Sequence, residues 1–297
     1  KKMPKMIRFT KEDIRRQLDE KGYAICPNVL TKDEINERTQ EFKKWQASIT
    51  NHDTFHNQCN PHGIYKFHQA GHQRHAWKIR ANPIVQSYFK YLWGNDDIIV
   101  SYDGSCYLSK DTKKKDNIWT HTDQAPRMSD LQCYQGLVSL TSNKERTLVV
   151  YEGSHKLHAS YFKDRGIDHA NNWNLIEKEY LAEISDRKKV LSIPAGSLVL
   201  WDSRTFHQNQ YGTPDSEERI VQYVCYLPRN HPKNTLAVQK KRELYFKDKR
   251  TTSHWPCPVK VNGLQPQTYG DTSKTIDYSS LTSPQLEDFM GEIKKLI

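Results

Sequence analysis

The residues with the clearest chemical potential are His121 and Asp123 in the stretch Trp119-Thr120-His121-Thr122-Asp123-Gln124, joined later by His207 and Arg219. Two imidazoles and one carboxylate are the ligand set that holds non-heme Fe(II) on one face. Successive strand residues point to opposite sides, so His121 and Asp123 share a side if the stretch is extended. A third ligand from a distant strand completes a triangular face and leaves three positions for a bidentate 2-oxo acid and dioxygen. Arg219 heads a run in which Val221, Tyr223, Cys225 and Leu227 follow on the same face. A guanidinium at the head of an apolar, inward-looking face needs an anion. That anion is either a carboxylate of the protein or the distal carboxylate of 2-oxoglutarate, which suits the fork of an arginine.

A His-x-Asp tripeptide also arises by chance, so the rest of the chain must supply elements that position it. Thr10 with Asp13, and Thr31 with Glu34, read as capping boxes opening two helices, the first stopped at Gly22. Between them Tyr23 to Cys26 reads as a short strand. Asn82-Pro83 opens a third helix that ends at Gly94. From Ile98 the pattern changes to short strands separated by turn signals: Ile98 to Tyr102, Ser105 to Leu108, Ile118 to Asp123, Cys133 to Leu140, Thr147 to Tyr151, Val190 to Ile193, Ser197 to Trp201 and Arg219 to Leu227. Many short strands at close spacing predict a sandwich or barrel of jelly-roll type. A helix is expected around Leu175 to Ile184, and a last one carrying Leu286, Phe289, Ile293 and Leu296. The segment from His52 to His75 holds six histidines and Cys59. It reads as a polar loop near the mouth of the pocket; a zinc site on His56, Cys59 and His62 can be drawn, but no second knuckle follows.

Bulk composition sets outer limits. The 297 residues, 36% hydrophobic and 11% aromatic, suffice for a globular core. No apolar run is long enough for a membrane span and no leader pattern is visible. Six scattered cysteines favour reduced thiols in a cytoplasmic setting over a disulfide framework. The net charge of +10 is concentrated in residues 1–16 and 229–250. Basic ends of this kind either are solvated surface or hold nucleic acid or another anionic partner.

With these residues in place the chain resembles the phytanoyl-CoA dioxygenase family of Fe(II)/2-oxoglutarate-dependent oxygenases. The matching stretches are Gly22-Tyr23, Asn28-Val29-Leu30, His121-Thr122-Asp123-Gln124, Val149 to Lys156, Pro194 to Asp202, His207 and Arg219, over roughly residues 10–228. The resemblance implies a mainly β chain: a double-stranded β-helix (jelly roll, cupin-like) core with N-terminal helices packed outside. The expected division is a dioxygenase domain over 1–228, with a helical part, 10–95, and a β-helix core, 96–228; residues 229–297, outside the resemblance, are expected as a C-terminal extension packing on the same domain. It implies Fe(II) on His121, Asp123 and His207, and 2-oxoglutarate on Arg219, with O2 as second co-substrate. Where many members carry Ser or Thr two residues after the distal histidine, this chain has Asn209, whose amide can also donate to a carboxylate. The retained Asp123 argues against a halogenase.

Gln135 and Tyr107, on strands expected to line the pocket, are further candidates for the 2-oxo acid. Asp103, Gln124 and Lys66 are candidates for substrate, although Asp103 can equally cap a turn. The expected activity is hydroxylation of an unactivated C–H bond in a small, conceivably anionic molecule. The competing expectation is a non-catalytic β-helix protein whose basic ends bind nucleic acid or an acidic partner. Neither substrate nor oligomeric state is legible at this level.

Overall fold

The structure is a computed structural model that describes residues 10–297; the first nine residues of the N-terminal basic run fall outside the described residues. Both capping boxes form. Thr10 caps α1 (Lys11–Lys21) and Thr31 caps α2 (Lys32–Ala47), each with its reciprocal carboxylate, and Gly22 ends α1 in the left-handed region at φ 83°. Strand β1 (Tyr23–Cys26) lies between them. The histidine-rich stretch is not a loop: it forms α3 (His52–Cys59), short 3-10 turns at Pro61–Gly63 and Ala70–His72, and α4 (Arg74–Arg80). Asn82 caps α5 (Pro83–Trp93) through its side chain. Strands β2 (Ile98–Val100), β3 (Ser105–Leu108), β4 (His121–Thr122), β5 (Tyr134–Ser139) and β6 (Leu148–Tyr151) follow, then α6 (His158–Asp164), β7 (Asn174–Leu175) and α7 (Lys178–Glu183). After β8 (Lys188–Val190), β9 (Leu198–Asp202), β10 (His207–Asn209) and β11 (Arg219–Pro228) come α8 (Leu236–Lys247) and α9 (Met290–Lys294).

Two antiparallel sheets result. One is ordered β1-β9-β5-β11-β2 with β3 also on β11; the other is ordered β7-β4-β10-β6-β8. Alternation along each strand decides what each face meets. Leu137, Val199, Trp201 and Val221 from the first sheet meet Leu148 and Val150 from the second in one buried cluster. The alternate residues, Val138, Leu198, Leu200, Ile220 and Val224, pack on the opposite face against Ile14 and Leu18 of α1, Phe42 of α2 and Phe89 of α5. Each such side chain contributes roughly 1.5–3 kcal/mol of burial. Helical content is 36%, so the strands frame the site without dominating the chain. No helix among the described residues is long and apolar enough to cross a membrane.

The C-terminal segment is tied to the sheets by backbone bonds, Val100 N–H to Leu296 O and Thr252 N–H to Tyr102 O, both 3.0 Å. Arg242 on α8, buried, donates to the carbonyls of Val100, Pro256 and Leu296. The basic run at 229–250 is therefore partly structural: besides Arg242, Arg229 pairs with Asp97 and Arg250 donates to Asn262 O.

Candidate metal centre and its cavity

Strand β10 lies between β4 and β6, and its register sets His207 opposite His121 on one side and Val150 on the other. Asp123 follows two residues after His121, just past the end of β4. The three side chains converge: Asp123 Oδ2 is 3.4 Å from His121 Nε2 and 3.1 Å from His207 Nε2. Their ligand atoms all lie within 4.8 Å of one another, the one such grouping of histidine, cysteine and carboxylate among the described residues. The zinc site drawn on His56, Cys59 and His62 does not form. His56 is engaged by Tyr107 O and Asn60 instead, and His62 stacks on Trp119 at 3.5 Å.

The tautomers are fixed by neighbouring carbonyls. His121 Nδ1 faces Trp119 O at 3.0 Å and His207 Nδ1 faces Thr205 O at 2.8 Å. A carbonyl can only accept, so each Nδ1 carries a proton, and Nε2 is left as the ring atom that faces the shared space and could hold a metal. Asp123 is oriented in turn: Gln135 donates to its Oδ2 at 3.0 Å, and Trp201 Nε1 donates to Gln135 Oε1 at 3.0 Å. Burial alone would raise the Asp123 carboxyl, but His121 and His207 beside it hold it well below the usual carboxylate range. Burial, then the charge of His121, lowers the His207 imidazole, with the Asp123 contact acting the other way. An ionised Asp123 and a lowered His207 are in the direction a divalent cation requires of its ligands. An N, N, O donor set opening onto a cavity on one side suits Fe(II) with free positions better than a closed structural site.

That cavity has a volume of about 710 Å³, and His121, Asp123, Gln135, His207, Asn209, Lys66 and Asp103 all line it. The size is within the range of small-molecule sites. Trp119 and Trp173 flank the His121 ring at 4.8 and 5.5 Å between centroids. Asn209 donates to Tyr223 Oη at 2.9 Å. Arg219 is fully buried and does not reach the cavity surface. Its Nη1 donates to Cys106 Sγ at 3.6 Å, while Nε and Nη2 have no partner. Tyr223, two residues along the same face of β11, does line the cavity.

Besides Arg219, two expected positions lie off the cavity. Tyr107 sits on the outward face of β3, among Phe42, His52 and His56, and borders a separate cleft of about 510 Å³. Its neighbours Cys106 and Leu108 are the inward residues; a shift of one along a strand reverses the side chain. Gln124 is also out of the cavity. Its amide donates to Met128 O and Asp130 O, and its Oε1 accepts from Ser203 Oγ at 2.7 Å, which consumes it in holding a loop. Gln135 is in the cavity but bonded to Asp123. The sequence reading missed a whole wall: Thr252, Ser253, His254, Trp255, Lys260 and Asn262 of the C-terminal segment all line the cavity. The pair His254-Trp255 was visible as residue types, but nothing local ties it to His121 and Asp123, more than 130 positions earlier.

A family model described as phytanoyl-CoA dioxygenase (PhyH) matches residues 18–210, which includes His121, Asp123 and His207 and stops short of Arg219. "Ava biosynthesis cluster protein O" of Aspergillus versicolor is 28% identical over 180 residues, 55% of this chain and 57% of that protein. The chain thus spans little more than half the length of that relative. Among solved structures, GlcNAc Inducible Gene 2 (GIG2) of Candida albicans aligns with a TM-score of 0.66 at 14% identity, over 95% of this chain and 75% of its own. The epimerase SnoN, solved with Fe3+, alpha ketoglutarate and nogalamycin RO, aligns with a TM-score of 0.53 at 18% identity, over 85% and 95%. EctD from S. alaskensis, solved with 2-oxoglutarate and 5-hydroxyectoine, gives 0.50 at 17% identity, over 72% and 74%.

Proposed function

The chain belongs to the phytanoyl-CoA dioxygenase family of Fe(II)/2-oxoglutarate-dependent oxygenases, and from that premise we propose that it hydroxylates an unactivated C–H bond of a small molecule. The observation that carries the proposal is the convergence of His121 Nε2, Asp123 Oδ2 and His207 Nε2 at one end of the cavity. Those three atoms hold Fe(II) in this reading. A metal held there would activate O2, the oxidant of the overall reaction in which RH, O2 and 2-oxoglutarate become ROH, CO2 and succinate. The protein's own part is positional. Trp201 fixes Gln135, Gln135 fixes Asp123, and the carbonyls of Trp119 and Thr205 fix the two imidazoles. Arg219 does not reach the cavity surface, which Asn209 and Tyr223 line, so in this reading it takes the distal carboxylate of 2-oxoglutarate on its unpartnered Nε and Nη2 only once those side chains move aside; burial without a counter-charge supports the role. Asn209 and Tyr223 form the adjoining wall. Lys66 and Asp103 face the substrate.

The two sheets enclosing one buried cluster support the finer reading of a double-stranded β-helix. The bonds of Leu296 and Arg242 to Val100 support treating 229–297 as part of the same domain as 1–228. Six free cysteines support a cytoplasmic setting. Anaerobic addition of Fe(II) and 2-oxoglutarate should produce a weak visible charge-transfer band, lost in Asp123→Ala. Turnover should release succinate, with a product heavier than the substrate by one oxygen atom. No band and no succinate sinks the oxygenase reading; succinate with a product of unchanged mass sinks hydroxylation alone.

A further inference from the structure

One wall of the cavity carries polar atoms that the protein leaves unsatisfied. Asp103 is 7% exposed; its Oδ1 accepts from Ser101 Oγ at 2.6 Å, and its Oδ2 has no partner. From the C-terminal segment, His254 Nε2 and Trp255 Nε1 are likewise covered and unpartnered, on rings whose centroids lie 5.0 Å apart. All three residues line the cavity that holds His121, Asp123 and His207. Each buried polar atom left unpaired costs about 1–3 kcal/mol, so three on one wall is an arrangement that a ligand would relieve. Burial raises the Asp103 carboxyl above its usual range, with neighbouring Arg80 and the Ser101 bond acting the other way; Arg80 donates to the Asp103 backbone carbonyl and leaves Oδ2 free.

We propose that Asp103, His254 and Trp255 form a substrate subsite for a neutral group that donates and accepts hydrogen bonds at once, a hydroxyl or a primary amide. The inference rests on reading this cavity as the substrate chamber. The chemistry of the three atoms sets the requirement. A carboxylate oxygen takes a proton donor, whereas an indole N–H needs an acceptor. A carboxylate on the ligand would meet Asp103. An ammonium would meet the charges of Lys66 and Lys260 at the exposed rim and the field of Arg80 buried behind Asp103. A neutral group satisfies both poles without bringing a charge out of water. The flanking walls of Trp119, Trp173 and Trp201 are suited to the apolar body that carries this group. Asp103 lies within the 18–210 span of the family match and residues 254 and 255 lie beyond it, so the subsite joins one residue of the matched part to two outside it.

The test uses the full chain loaded with Mn(II) and two matched probe pairs: 2-phenylethanol with its methyl ether, and 2-phenylacetamide with its N,N-dimethyl derivative. Ligand-observed NMR titration should give at least tenfold tighter binding for the donor–acceptor member of a pair. Asp103→Leu should bring that ratio close to one. Asp103→Asn, which keeps an acceptor oxygen in the same shape, should retain part of it and shows that the fold tolerates change there. Trp255→Phe should weaken both favoured probes by removing the donor. Paramagnetic broadening by Mn(II) should place the bound probe beside the metal, and His121→Ala with His207→Ala should abolish the broadening while the tenfold preference persists. Equal binding within both pairs, no binding of either favoured probe, or an undiminished preference in Asp103→Leu overturns the subsite. A preference seen with no Mn(II) effect upholds the subsite and overturns the metal assignment.

Discussion

The Asp123 carboxylate is held by Gln135 from one side and faces two imidazoles on the other, so the amide of Gln135 governs where the third ligand atom stands. Gln135→Leu keeps the volume and removes the bond. Outer-shell losses of this kind typically cost about 10–100-fold in metal affinity, and equilibrium titration with Mn(II) or Fe(II) should show that loss with little change in fold. Arg219 makes a sharper prediction. As a buried cation with two unpartnered nitrogen groups it is a liability in the free protein. Arg219→Leu should therefore leave the melting temperature of the 2-oxoglutarate-free protein unchanged or raised, while weakening 2-oxoglutarate binding by at least about 100-fold, as expected for losing a charge-assisted pair of roughly 3 kcal/mol. Arg219→Lys should not restore binding, because an ammonium lacks the fork. A fall in thermal stability with co-substrate affinity intact would sink this role. His121, Asp123 and His207 were readable because a two-residue spacing and a strand pattern put ligand types on one side. Gln135 was read as a co-substrate contact because a sequence shows that an amide faces inward, but not which acceptor it finds. Tyr107 was misplaced by one step of a strand.

Helix ends are where local sequence spoke most directly. Thr31 and Glu34 close their box with bonds of 3.1 and 3.0 Å, and Glu34 also accepts from Asn82, the cap of α5. One carboxylate thus serves two helix starts. Thr31→Ala should cost about 1 kcal/mol, read as a shift in the urea midpoint without a change in slope. The strands were located through their alternation, but β4 is only two residues long where six were expected. A two-residue strand gains its register from its neighbours, β10 and β7, which no local pattern records. Helix α8 went unseen because its buried residue is Arg242, so its apolar periodicity is weak. The histidine-rich stretch looked polar and loop-like, yet His72 and His75 are buried inside it with bonds to Arg250 O and Ser105 Oγ. Partners distant in sequence turned a polar composition into interior structure.

At the scale of the whole molecule, the last residues fasten across the helical layer. Arg74 on α4 grips Asp288 at 2.6 and 2.8 Å, and Lys78 approaches the same carboxylate. The bond to Arg74 holds the Asp288 carboxyl down at about 2, from an ordinary 3.8. A depressed carboxyl stabilises the folded state above its unfolded value and loses that contribution as pH falls toward the folded one. Opening of the C-terminal segment should therefore increase between pH 3.8 and about 2. Arg74→Gln should flatten that part of the profile in a hydrogen-exchange series on residues 286–296, and an unchanged profile would exclude the latch. None of this was legible in the sequence beyond the final apolar stripe, since it depends on residues more than 200 positions apart.

The placement of His254 and Trp255 on the cavity wall, with the candidate metal ligands His121, Asp123 and His207 more than 40 positions earlier, has an evolutionary reading. On the proposed subsite, selectivity is encoded in part, through His254 and Trp255, in a length of polypeptide separate from the one that carries the ligand set. Descendants can diversify what they accept by varying one short terminal stretch, with the oxidising centre shielded from that drift. Grafting residues 250–262 between relatives is accordingly the economical route to a changed substrate range.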